Sequence, residues 1–64
     1  LPMYLFYTNR NNVIRVTDDN DNLVAQVQAD HADTMSYAND TNGLHDYLIA
    51  ERVMRPTDIL CFIH

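Results

Sequence analysis

Val13-Ile14-Arg15-Val16-Thr17-Asp18-Asp19-Asn20-Asp21-Asn22-Leu23-Val24-Ala25-Gln26-Val27-Gln28 reads as two strands around one turn. From Val13 to Thr17 every residue except Arg15 is β-branched, a restriction at the first side-chain torsion that a pleated strand accommodates better than a helix. The run Asp18 to Asn22 is made entirely of Asp and Asn, whose side chains bond their own backbone and tolerate left-handed geometry, so the chain should reverse there. Beyond it Leu23, Ala25 and Val27 alternate with Val24, Gln26 and Gln28, the pattern of a strand with one wet face.

Working back from this hairpin, Met3-Tyr4-Leu5-Phe6-Tyr7-Thr8 is apolar or aromatic without a break and predicts another strand. Asn9-Arg10-Asn11-Asn12 supplies the turn between them. Connections this short make neighbouring strands pair antiparallel, giving a three-stranded meander.

Working forward, the period changes. Asp30 can cap a short helix over residues 31–39, with Asp33 near its positive end and Met35 and Ala38 turned inward. Asn39 to Gly43 interrupts it with cap and turn residues. Leu44, Tyr47, Leu48 and Glu51 then recur at helical spacing, flanked by Ile49, Arg52 and Val53, which predicts a longer helix from about Gly43 to Met54. Arg52 and Arg55 fall near its negative end, and Pro56 pushes Arg55 out of helical geometry. Ile59 to Ile63 is apolar at every position, as expected of a strand covered on both faces or lying centrally, beside the first strand. The expected architecture is therefore α+β, β-β-β-α-β, one domain over residues 1–64, with one main helix on one face of a mostly antiparallel four-stranded sheet.

Composition narrows the function classes. Four arginines and no lysine stand against eight aspartates and one glutamate, a net charge of −5. Such a chain repels phosphate backbones and anionic lipid surfaces, so neither direct nucleic-acid binding nor membrane binding is expected. There is no apolar run of membrane-spanning length, and a cytoplasmic location is expected. Met3 is the expected native first residue.

Catalytic and metal chemistry find little to use. Ser36 is the only serine and no glycine-bearing elbow surrounds it, while a single glycine, Gly43, cannot build a phosphate-cradling loop. The absence of lysine removes Schiff-base chemistry. The Asp18 to Asn22 turn is rich in oxygen donors but lacks the glycine and distal glutamate of an EF-hand loop. Cys61 and His64, three apart, point to opposite faces of a strand, and His31 and His45 are remote in sequence. No enzyme, metal or cofactor is expected.

What remains is acidity and tyrosine. Asp18, Asp19, Asp21, Asp30 and Asp33 fall within sixteen residues, and Asp40 follows. As one face they could imitate a phosphate backbone and occupy a basic groove. Tyr4 and Phe6 share one face of the first strand, opposite Met3, Leu5 and Tyr7, and if uncovered would make a binding or dimer patch. The leading expectation is a non-catalytic interaction protein, of the inhibitor kind that phages and mobile elements direct at host machinery, binding a partner with a basic surface through these aspartates with Tyr4 and Phe6. Competing expectations are a homo-oligomeric assembly module and a small metal-responsive domain.

Overall fold

A computed structural model describes residues 2–28, 37 and 40–63. Strands β1 (Met3–Thr8), β2 (Val13–Asp18) and β3 (Leu23–Gln28) are followed by helix α1 (Thr41–Ala50) and strand β4 (Ile59–Phe62). The sheet order is β3-β2-β1-β4. The meander is antiparallel, and β4 returns to lie parallel to β1, so the sheet is mixed and mostly antiparallel. This is the expected small α+β architecture. The expected helix over residues 31–39 lies outside the described residues, apart from helical Tyr37.

Both hairpin turns are fixed by an Asx side chain at their first residue. Asn9 Oδ1 accepts from the backbone N–H groups of Asn11 (2.9 Å) and Val13 (3.3 Å), and Asn12 takes the left-handed conformation at φ 60°. Asp18 Oδ1 accepts from Asn20 and Asn22, each at 2.9 Å, with Asp21 at φ 66°. Asn and Asp adopt this geometry at low cost, which is why they occupy these positions.

Register decides which face is the core. Phe6 lies between Val16 of β2 and Phe62 of β4, and Ile14 opposite Val27. These side chains face α1, and the buried core is Phe6, Ile14, Val16, Leu44, Leu48, Met54 and Leu60. Each such side chain contributes roughly 1.5–3 kcal/mol on burial. A register shift at Val16/Thr17 inserts one extra residue into β3, so Ala25 and Val27 pack on the core while Leu23 is left exposed. The strict alternation expected from Leu23 onward is broken by this bulge.

Two boundaries differ from expectation. β4 is an edge strand rather than a central one; its continuous apolar run reflects one buried residue, Leu60, with Cys61 and Phe62 half-buried and Ile59 exposed. The helix ends at Ala50, four residues before Met54. Its N-terminus follows the sequence signal: Asp40 accepts from Gly43 N–H at 3.0 Å, and a Cβ on Gly43 would come within 2.7 Å of that carboxylate, so glycine suits the cap.

The C-terminus is unusual. Arg52 N–H donates to Ile49 carbonyl and Val53 N–H to Leu48 carbonyl, the paired bonds of a Schellman motif, with Arg52 at φ 62° where glycine is the usual occupant. A left-handed L-residue costs roughly 1–2 kcal/mol, part of which glycine would lose again to unfolded-state entropy. Arg52→Gly is therefore expected to stabilise the fold by about 0.5–1 kcal/mol, raising Tm by a few degrees in a thermal melt; a lower Tm would mean that the Arg52 side chain holds the loop in place.

Candidate functional site

The expected site residues separate into three places. Asp18, Asp19 and Asp21 occupy the β2–β3 turn, with Asp19 and Asp21 exposed. Asp40 belongs to the helix layer, where its carboxylate caps α1. Asp30 and Asp33 lie outside the described residues. No single aspartate face is assembled from the described residues: the β2–β3 turn is an acidic tip, and Asp40 is a helix cap.

Within that tip Asp18 is structural. Hydrogen bonding from Asn22 N–H, with further bonds from the Asn22 amide (3.2 Å) and Asn20 N–H, lowers its carboxyl below the ordinary value. A carboxyl depressed in the folded state stabilises the fold above its unfolded value, near 3.9, and that contribution is lost as pH falls through the lower folded value. Asp18→Asn is expected to remove this acid-side component, flattening stability against pH below about 4 in denaturant titrations. An unchanged acid limb would show that the turn does not depend on the carboxylate.

Tyr4 and Phe6 are not an uncovered pair. Phe6 is fully buried, tilted against Phe62 with ring centroids 5.1 Å apart, and Tyr4 is half-buried beside the core. α1 covers this face, so Phe6 cannot meet a partner.

The other face of β1 is the open one. Register places Met3 beside Ile59 and Leu5 between Thr17 and Cys61, with Tyr7 beside Arg15. Across the sheet Met3, Tyr7, Leu23, Val24, Ile59 and Ile63 are each between 37% and 44% exposed. Exposed apolar side chains gathered on one sheet face, here with polar Thr17, Arg15 and Gln26 among them, are the kind of feature that marks an interaction surface. Four of them, Met3, Leu23, Val24 and Ile59, lie at the strand ends next to the acidic tip, since Asp18 is in register with Tyr4 and Leu23 with Thr17. On the same face Arg15 donates to Gln26 Oε1 at 3.3 Å. Alternation in β1 showed two apolar faces; only the position of α1 distinguishes them.

A cleft of about 390 Å³ opens on the helix side, lined by Tyr4, Ile49, the stretch Arg52 to Pro56, and Asp58. Its volume falls in the range of ligand pockets, which chain length alone did not suggest. Asp58 is buried and its Oδ2 accepts from Arg55 N–H at 2.9 Å, which fixes the loop into β4. Glu51 faces Tyr47 instead, and its charge and side-chain hydrogen bond raise the Tyr47 phenol. Neither guanidinium in the cleft makes a hydrogen bond or ion pair with any described residue.

Among the described residues no group of three His, Cys, Asp or Glu side chains is placed to hold a metal ion. Half-buried Cys61 is a free thiol on the open sheet face, and His45 Nε2 is buried without a hydrogen-bond partner among the described residues. No helix among them is long and apolar enough to cross a membrane. Comparison with protein-family models, curated proteins and solved structures finds no match.

Proposed function

We propose that the protein is a non-catalytic interaction module whose open sheet face, bordered by the Asp18–Asp21 tip, docks on a partner protein carrying an apolar patch edged by lysine or arginine. The observation that carries this reading is that exposed Leu23 and Val24 lead straight out of the acidic turn, with Met3 and Ile59 exposed at the same end of the sheet, one and two strands across from β2. An apolar centre with a charged rim is the anatomy of a protein interface, and the rim's sign selects a basic partner. A basic surface of this kind is common on proteins that handle nucleic acid, which favours an inhibitor of host machinery, of phage or mobile-element type, working in the cytoplasm by steric occlusion. Relative to the sequence expectation, the aspartate contribution narrows to the tip, and the apolar contribution moves from Phe6 to the opposite face.

The test is capture of partners by the tagged protein at low and high salt, with a Leu23→Thr/Ile59→Thr double variant alongside. A partner retained by the wild type at low salt, lost at high salt and lost by the variant supports the reading. One held equally by the variant contradicts it.

Self-association is a second reading, favoured by one observation. Edge strand β3 carries neither charge nor proline over Leu23–Gln28, so past the bulge at its start the free edge lacks the charge and proline that discourage pairing with another chain. A sedimentation coefficient that rises with concentration would move the assignment to a homo-oligomer. A constant monomer value would remove it.

A further inference from the structure

We infer that the cleft between α1 and the loop into β4 binds a small organic monocarboxylate, gripped by Arg52 and Arg55 with its apolar body against Ile49, Val53 and Met54. The inference is independent of the open sheet face, which lies on the other side of the sheet. Three observations converge on it.

The first is the gathering of solvent-exposed donors that no described protein group occupies. Arg52, Arg55 and Tyr4 line one cleft, and none of their side chains has a hydrogen-bond or ion-pair partner among the described residues, in a chain where acids outnumber arginines nine to four. Nearby carboxylates are otherwise engaged: Glu51 with Tyr47, and Asp58 with the Arg55 backbone. A cation near a helix C-terminus is favoured by the helix dipole in any protein. The dipole does not account for a second arginine and a tyrosine around the same apolar floor.

The second is backbone strain. Asn12 and Asp21, the other two left-handed residues, are types that tolerate that geometry, whereas Arg52 stands where glycine would be cheaper. Strain of this kind concentrates at binding sites, and here it falls on one of the two arginines that line the cleft.

The third is charge balance, which sets the ligand class. Two guanidiniums and the Asp58 carboxylate leave the cleft with a net charge of +1, which one carboxylate neutralises and a phosphate dianion exceeds. Arginine's planar fork also matches a carboxylate's two oxygens. At about 390 Å³ the cleft has room for an aromatic or branched acid rather than only a bare anion.

The test is titration of the isotopically labelled full chain, followed by amide chemical shifts. The probes are phenylacetate, phenylacetamide, inorganic phosphate, and a short peptide ending in phenylalanine with either a free or an amidated C-terminus. Saturable shifts confined to Tyr4 and residues 52–58 are expected with phenylacetate, and at least tenfold weaker binding with phenylacetamide. Binding by the free-terminus peptide but not by phenylacetate would assign the carboxylate to a chain end, within the same chemistry. Arg52→Gly, expected to keep or raise Tm, should weaken binding at least tenfold, and Arg55→Gln should do the same with its amide spectrum otherwise retained. Absence of saturable shifts with both carboxylates, equal binding of the amide, tighter binding of phosphate, or undiminished binding by the Arg52→Gly/Arg55→Gln double variant would overturn the inference.

Discussion

Phe6→Ala is expected to leave the chain unfolded at room temperature, with strand and helix signals lost from the far-ultraviolet spectrum and amide resonances collapsed to narrow dispersion. Phe6 has no solvent exposure, sits in register between Val16 and Phe62, and joins the sheet to Leu44 and Leu48 of α1 in one core cluster. Removing a buried phenylalanine costs about 3–5 kcal/mol. A single core in a chain this short supplies only about 3–5 kcal/mol net, so the substitution consumes most or all of it. Tyr7→Ala, on the same strand but the open face, is expected to cost well under half as much, because the side chain is already partly hydrated. Comparable losses for the two variants in urea titrations would mean that both faces of β1 are covered, and the open-face assignment would fail with them.

The second large effect concerns binding rather than folding. Leu23→Thr/Ile59→Thr is expected to weaken partner association about 10- to 100-fold while moving the urea midpoint little. Both residues are more than two-fifths exposed, so the folded state loses little packing when they shorten, and threonine keeps the β-branching a strand favours. In a complex that spans the open face these side chains, on the two edge strands, would both lose their remaining contact with water, and shortening the pair removes apolar burial worth about 1.5–3 kcal/mol. Asp19→Asn/Asp21→Asn should act differently, mainly slowing association and flattening its salt dependence, because rim charges steer encounter. A partner whose affinity ignored the apolar substitutions but fell with the aspartate ones would be held by charge alone.

Turn chemistry was fully legible in the sequence: Asn9 and Asp18 each bond two backbone N–H groups beyond them, as their side chains require. The α1 face through Leu44 and Leu48 followed from spacing, and β4 lies beside β1 as expected, although its apolar run pointed to a central or doubly covered strand and it forms an edge. Less accessible was the choice of face in β1, because Tyr4 and Phe6 on one side and Met3, Leu5 and Tyr7 on the other are equally apolar, and only the side on which α1 packs decides between them. The helix end was missed for a related reason. Glycine is the sequence signal for a left-handed cap, and Arg52 takes that conformation without being one. The cleft follows from that ending: had α1 run on to Met54, Arg52 would lie on a helix surface rather than in a loop beside Tyr4. The bulge that exposes Leu23 likewise has no glycine to announce it.

Amide chemical-shift mapping of the labelled protein against the partner captured at low salt tests the central claim most directly. The open-face account predicts that perturbations concentrate at Met3, Leu5, Leu23, Val24, Ile59 and the Asp19–Asp21 tip, with His45 to Ala50 of α1 unaffected. Perturbations concentrated on α1, with the β3 and β4 amides unchanged, would contradict it.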